Sequence, residues 1–308
     1  MYDSILRYLS NNYPKISVNT IEKINVDSLN NVYKIKSDQK YFILKFYKNI
    51  THSTLERVLK IQSNCSEHNI APSVLLNEEN SFITVEENHM FTMQEYLEGE
   101  HPSTECNQHT LNAIAQHMHV MHVVSKNIEL PNRKLSKNYE EIMNEIVNYQ
   151  SYFHTRTSEN IAINYISDLL DLRYRIIQKN KISFSPQHLS LTHGDLKPSN
   201  IIISHCEGEK VKFIDFDYAG INDLWIEIGR AAVLLSNYDV KKMCYFLECY
   251  SFVSKAEFSI EKIIQQLLSY LIQSNFPIYI YDSIKIENLI TVVKERIKLI
   301  NFCLDITK

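Results

Sequence analysis

Glycine is scarce in this 308-residue chain: five residues stand where an average composition of ~7% would supply several times as many. That shortage excludes a Gly-rich linker or a low-complexity tract and makes each glycine a marked position. Charge of one sign is also lacking. A net charge of −4 and a pI near 6.3 speak against a nucleic-acid or anionic-membrane partner held by bulk charge. No apolar run reaches the length needed to span a bilayer. The first residues, Met1-Tyr2-Asp3-Ser4-Ile5-Leu6, lack the basic-then-apolar layout of a signal peptide. The six cysteines (65, 106, 206, 244, 249 and 303) show no paired metal-ligand spacing and read as reduced thiols. The expectation is a soluble, cytoplasmic protein forming one large or two smaller folding units.

What the chain does have is a dense polar motif. His193-Gly194-Asp195-Leu196-Lys197-Pro198-Ser199-Asn200 is followed, fifteen residues after Asn200, by Asp215 within Ile214-Asp215-Phe216-Asp217. An acid, a lysine and an amide at fixed spacing precede a second acid at the end of an apolar run. Magnesium-nucleotide chemistry needs that set: one Asp to orient an accepting hydroxyl, an Asn and another Asp to hold the metal over the phosphates. Ile201–Ile203 and Val211–Ile214 read as two short strands, with Glu207-Gly208-Glu209 as their turn and Gly208 at the φ > 0 position. Such a hairpin returns Asp215 to the end that carries Asn200. Magnesium takes hard oxygen ligands and only one or two from protein, which one Asn and one Asp satisfy. A turn rich in Asp, Asn, Gly and Pro is the plainer explanation of either half alone. It does not account for both halves in this order.

Up to about residue 92 the pattern is strand-rich with one helix. Asn31–Lys36 and Tyr41–Tyr47 alternate as paired strands around the turn Ser37–Lys40. Thr54–Glu67 carries Leu55, Val58, Leu59 and Gln62 at helical spacing with Ser53 as its N-cap. Ser73–Leu76, Phe82–Glu86 and Met90–Glu95 read as three further short strands. A break follows at Glu95–Pro102. Beyond it the chain turns helical over Leu111–Ser125, Tyr139–Tyr152, Ile161–Gln178, Glu227–Leu235, Lys241–Phe252, Glu257–Ser274 and Ile284–Cys303. The expected fold is α+β and bilobal. Residues 1–94 would form a small β-rich nucleotide-binding lobe and 95–308 a larger, mainly helical catalytic lobe, with a hinge at about 93–99 and a nucleotide cleft at their interface.

These motifs and this layout resemble the aminoglycoside phosphotransferase and choline kinase superfamily, which shares the protein-kinase-like fold. The likeness runs from about Ser28 to Glu227. It implies that Asp195 orients and partly deprotonates a substrate hydroxyl, that Asn200 and Asp215 bind Mg2+, and that His193 supports the loop. Lys197 occupies the place of a lysine in protein kinases, where relatives often carry His; there a cation would stabilise the transferring phosphoryl group. Lys45 matches the strand lysine that contacts the phosphates of ATP (or GTP), and Glu56 matches its helix ion-pair partner. Ser28-Leu29-Asn30-Asn31 matches the nucleotide loop, so that Ser28 and Asn30 would face phosphate. Relatives often have glycine there and this chain has none. Gln94, Glu95, Tyr96 and Leu97 match the hinge segment whose backbone pairs with a purine edge.

A protein substrate is disfavoured. Asp217 stands where a protein kinase has glycine, no Ala-Pro-Glu follows, and a helix begins by Trp225 or Glu227, leaving no room for an activation segment. The implied partner is a small molecule with a hydroxyl group. Asp215–Asn222 followed by Glu227-Ile228-Gly229 is most similar to the choline and ethanolamine kinase branch, with Glu227 in place of the usual Asp. His193-Gly194-Asp195 is closer to the aminoglycoside and homoserine kinase branches. Trp225, Tyr238, Phe276, Tyr279 and Tyr281 are candidates for a cation–π cage around an ammonium, although such spacing is commoner in a core. His117, His119 and His122 lack a carboxylate to complete a metal site and read as structural. The competing class is a non-catalytic kinase-like nucleotide-binding protein, which loss of Lys45, Asp195, Asn200 or Asp215 would mark. All four are present.

Overall fold

The computed structural model describes residues 2–24, 30–38, 40–48, 50–103, 106–124, 139–155, 161–179, 188–204, 210–275, 278, 281 and 285–307. Contacts divide the chain into two compact units, Met1–Leu130 with Leu191–Gly220 and Pro131–Ser190 with Ile221–Lys308. The first unit takes in α3 (Gln108–Val124), which packs on the second strand of the motif hairpin.

The first unit begins with α1 (Tyr2–Asn12), which the sequence reading omitted although Ile5, Tyr8 and Leu9 follow helical spacing. A five-stranded antiparallel sheet follows in the order β1 (Val18–Ile24), β2 (Asn31–Ser37), β3 (Tyr41–Tyr47), β5 (His89–Glu95), β4 (Thr84–Glu86). Strand β1 also escaped the sequence reading. It is an edge strand without a fully buried residue, so it lacks the alternation that marks a half-buried strand. One sheet face packs Tyr33, Ile35, Leu44, Phe91 and Met93 against Ile5, Tyr8, Leu9 and Tyr13. Burying one side chain such as Leu9 contributes about 2 kcal/mol. Lys45 pairs across to Val32 and Thr92 on the opposite face. Alternation therefore turns its ammonium away from the core behind the sheet.

Helix α2 (His52–Glu67) is capped by Thr51, whose Oγ1 accepts from Thr54 N at 3.3 Å. Ser53, the expected cap, already lies inside the helix, because the extended backbone ends at Thr51. Ser73–Leu76 is not a strand. It meets β5 at a single bridge, Val74 to Gln94, beside hydrogen bonds from Leu75 N to Met93 O and from Glu95 N to Ser73 O. The strand expected over Phe82–Glu86 contracts to β4, which turns back through Glu87 and Asn88 in left-handed conformations. Further on, β7 (Ile201–Ser204) and β8 (Lys210–Phe213) pair in register Ile201 to Phe213, as the hairpin pattern predicts. Gly208 lies outside the described residues. Phe213 N donates to Ile70 O at 2.7 Å, tying the hairpin to the segment after α2.

The second unit is helical: α4 (Tyr139–His154), α5 (Ile161–Lys179), α6 (Leu224–Leu235), α7 (Val240–Ser254), α8 (Ile260–Gln273) and α9 (Ile286–Ile306). Two further short strands, β6 (Leu189–Thr192) and β9 (Gly220–Asp223), flank the motif in sequence. The expected helices are all present with ends shifted by a few residues. Asp223 and Ser259 cap α6 and α8, which moves the start of α6 earlier and that of α8 later. Gly229 lets α6 and α8 approach closely, since a Cβ there would lie 2.8 Å from Ile263 Cγ2. A β-sheet region and a helical region make the α+β class that the sequence predicts. Among the described residues no helix is long and apolar enough to cross a membrane.

Candidate active site

The motif folds as a loop that is rigid for identifiable reasons. Pro198–Asn200 forms a single 3-10 turn, closed by Asn200 N donating to Lys197 O at 2.9 Å. Asn200 is buried, and its Nδ2 donates to Asp195 O at 2.8 Å and to Asp195 Oδ2 at 3.1 Å. That orientation leaves Asn200 Oδ1 with no protein hydrogen bond among the described residues. Lys197 Nζ sits 2.8 Å from Asp195 Oδ2. The acid is therefore gripped by its own loop, with a cation and an amide on one oxygen.

His193 is fully buried and serves as a strut. Its Nε2 lies 2.9 Å from Ile214 O, a carbonyl that only accepts, so Nε2 carries the proton; Nδ1 then accepts from Asp195 N at 3.4 Å. One imidazole thus links the loop to the residue before Asp215. Gly194 sits at φ +81, and a Cβ on it would lie 2.2 Å from Tyr218 O. No other residue fits where the loop passes this turn.

The hairpin brings the proposed metal ligands to one end. Ile214 N donates to Asn200 O at 2.9 Å, just beyond the last register pair, and Asp215 follows in a left-handed conformation (φ 66). From β3, Lys45 Nζ reaches Asp215 Oδ1 at 2.5 Å and Asp217 Oδ1 at 2.7 Å. Burial by itself would lower the Lys45 pKa; Tyr47, Asp217 and Asp215 outweigh it and hold the ammonium above its ordinary value. Burial also acts against the Asp215 charge, yet Lys45 keeps that carboxyl below the usual range. Asp217 is raised instead, by its burial and by the charge of Asp215. Two acids share one cation, and they are not equivalent.

Not every expected residue joins this group. Glu56 does not pair with Lys45. It lies half-exposed on α2 with Lys60 Nζ 3.0 Å away, while the buried positions of that helix are Leu55, Val58, Leu59, Ile61, Gln62 and Cys65. The helical period turns position 56 outward, which corrects the ion pair inferred from the resemblance. Asn30 is present, but its Nδ2 donates to Asp217 Oδ2 at 2.7 Å and its Oδ1 accepts from Lys48 N at 3.0 Å. Ser28 lies outside the described residues.

In the expected hinge, Gln94 is buried, with its side chain bonded to Gln62 at 3.0 Å and Thr92 at 3.2 Å. Glu95 accepts from Ser73 N and Oγ, both at 3.3 Å, and Tyr96 N donates to Tyr41 O at 3.3 Å. Leu97 N has no protein acceptor among the described residues. Asp217 is the functional candidate that sequence reasoning missed. Its signal was its place two residues after Asp215, used there only to exclude a protein substrate.

The aromatic cage does not assemble among the described residues. Trp225 stacks on His188 at 3.7 Å, Tyr238 packs edge-on to Phe302 at 5.6 Å with Lys298 over its ring, and Tyr281 packs on Phe153 at 5.4 Å. Phe276 and Tyr279 lie outside those residues. No group of three metal-ligating His, Cys, Asp or Glu side chains occurs among the described residues.

The profile of the phosphotransferase enzyme family matches residues 20–241, a span that includes Lys45, the motif and Asp217. The chain belongs to the phosphotransferase enzyme family. No curated protein is significantly similar to it in sequence. Solved structures with its fold include an ethanolamine kinase from Plasmodium vivax, at 17% identity and TM-score 0.60, covering 99% of this chain and 89% of that one. A choline kinase from Cryptosporidium parvum matches at 15% identity and TM-score 0.62, covering 99% and 97%. A spectinomycin phosphotransferase in complex with ADP and spectinomycin matches at 16% identity and TM-score 0.60, covering 99% and 94%. This family member therefore has the protein-kinase-like fold that the resemblance implied.

Proposed function

We propose that this phosphotransferase moves the γ-phosphate of ATP or GTP to a hydroxyl group of a small molecule in a magnesium-dependent reaction. The observation that carries the reading is the meeting of Asp195, Lys197 and Asn200 in one hydrogen-bonded loop whose hairpin returns Asp215 to Lys45. The donor set fits magnesium. Asn200 Oδ1 and Asp215 Oδ2 have no protein donor among the described residues, and both are hard oxygens. Asn200 and Asp215 would hold the metal, which when bound neutralises phosphate charge.

Asp195 orients the acceptor hydroxyl and takes its proton as the oxygen attacks the γ-phosphorus. The new phosphorus–oxygen bond forms as the bond to the bridging oxygen breaks, and that electron pair leaves with the nucleoside diphosphate. Lys45 and Lys197 meet the negative charge of the phosphates, Lys45 from the sheet and Lys197 beside the acid. The Leu97 N–H supports pairing with a purine edge at the 93–99 segment.

The acceptor is a small alcohol of the choline, ethanolamine, homoserine or aminoglycoside kind, and the names of the similar structures agree with that range. A transfer screen with ATP and GTP against choline, ethanolamine, homoserine, thiamine, aminoglycosides and macrolides tests the proposal. Phosphorylation of one acceptor, abolished in Asp195→Ala, supports it. No transfer together with no nucleotide binding would make the protein a non-catalytic family member.

A further inference from the structure

Lys45 faces two carboxylates, and their remaining contacts assign them different work. Among the described residues Asp215 uses only Oδ1, on Lys45, and its side chain remains 38% exposed. Asp217 is at 17% and has both oxygens engaged: Oδ1 on Lys45 at 2.7 Å and Oδ2 on Asn30 Nδ2 at 2.7 Å. A ligand that approached Asp217 would have to break one of those bonds. A ligand approaching Asp215 Oδ2 breaks none.

The inward side of α2 offers Lys45 no acid. Leu55, Val58, Leu59 and Gln62 fill it, Gln62 Nε2 is directed at Pro72 O and Gln94 Oε1, and Glu56 is turned to Lys60. Asn30, for its part, immediately precedes β2 and also takes Lys48 N, just beyond β3. Asp217 is thus the point where the start of β2, the strand lysine and the segment after the hairpin are joined.

We propose that Asp217 is the anchoring carboxylate of Lys45: a positioning residue that fixes the phosphate-facing ammonium and ties the end of the glycine-free nucleotide loop to it, leaving Asp215 for the metal. This rests on the reading of the site as a magnesium-nucleotide centre. The anchor comes from the metal-binding segment itself, two residues beyond Asp215, where the resemblance placed it on a helix. A lysine held at a fixed position loses less freedom when phosphate arrives.

The test has two readouts on the full chain. In the first, Mg·ADP affinity is measured by calorimetry, with the magnesium concentration for half-maximal binding. Asp217→Asn weakens Mg·ADP about tenfold, the loss expected for a charge-assisted hydrogen bond, and leaves magnesium half-saturation unchanged. Asp215→Asn moves the magnesium half-saturation instead. Asn30→Ala, which leaves the Lys45–Asp217 ion pair in place, weakens Mg·ADP by about threefold to tenfold and keeps the proposal testable if the Asp217 variant does not fold. Glu56→Gln leaves both quantities as in the parent protein.

The second readout needs no nucleotide: acylation of Lys45 by an amine-reactive ester, followed by peptide mass spectrometry. Asp217→Asn speeds this labelling about tenfold or more, because the free amine becomes more accessible and less strongly paired. A protein that binds no Mg·ADP overturns the proposed function, and the labelling still decides whether Asp217 anchors Lys45. Unchanged labelling in Asp217→Asn overturns the anchor. So does a shift in magnesium half-saturation equal to that of Asp215→Asn, which would make Asp217 a metal ligand.

Discussion

The two compact units treat buried polarity in opposite ways. In the first, Lys45, His193, Asn200 and the Asp215–Asp217 pair are gathered within one connected set of hydrogen bonds, some with an oxygen left over. In the second, buried polar groups end helices and join them. Asp223 caps α6 through Trp225 N at 2.9 Å and accepts from Gln266 Nε2 of α8 at 3.1 Å and His188 N at 3.3 Å. Fully buried Arg173 donates from Nε to Ile272 O at 2.6 Å, and Asn275 Nδ2 donates to Glu145 at 2.6 Å. In the second unit Ser167 Oγ and Asn275 Oδ1 are buried without a hydrogen-bond partner among the described residues, whereas the first unit gathers two open oxygens, Asn200 Oδ1 and Asp215 Oδ2, at one end of the motif hairpin. The glycines repeat the contrast: Gly194 permits a left-handed turn inside the motif, whereas Gly229 permits two helices to touch.

The strongest way to break this comparison is at the acid. Asp195→Ala should lower phosphoryl transfer by about a thousandfold, within the range for losing a general base, while Mg·ADP binding survives. Single-turnover transfer measured beside calorimetry checks it; a variant that turns over like the parent removes Asp195 from the reaction. Gly194→Ala is next. A Cβ in that left-handed position overlaps Tyr218 O, so the variant should lose about 3 kcal/mol in urea unfolding and most of its transfer activity.

Asp215→Ala should raise the magnesium needed for half-maximal transfer by about a hundredfold, with little change in unfolding midpoint. Magnesium titration of the rate reads it directly. The smallest effect belongs to the helical unit. Asp223→Ala removes a cap and leaves Gln266 and the His188 N–H short of an acceptor, at a cost of about 2 kcal/mol. Nucleotide KM should stay unchanged in the folded fraction. A large KM change there would show that the two units do not separate structural from chemical polarity.

Much of the fold was legible from local patterns. The long helices announced themselves by three- and four-residue spacing, and the motif hairpin by a β-branched run and an alternating one. Strand β1 was not legible, because an edge strand without a buried face carries no alternation. Helix α1 carries Ile5, Tyr8 and Leu9 at helical spacing. At the site, Asp195, Lys197, Asn200 and Asp215 stood out by residue type and spacing, and Lys45 only through the resemblance. The partnership of Lys45 did not. Resemblance pointed to Glu56, and the phase of α2 turned that residue to Lys60.

Local sequence decided which groups meet in the motif, because it folds as one short loop and hairpin whose hydrogen bonds close over a few residues. Tertiary structure decided which of its acids serves the lysine. Lys45, Asn30 and Asp217 are far apart along the chain, and no local spacing encodes a contact that exists only when the sheet and the segment after the hairpin are packed together. The aromatics follow the same rule. Their positions in the chain allowed a cage, and packing sent Trp225, Tyr238 and Tyr281 to three different neighbours.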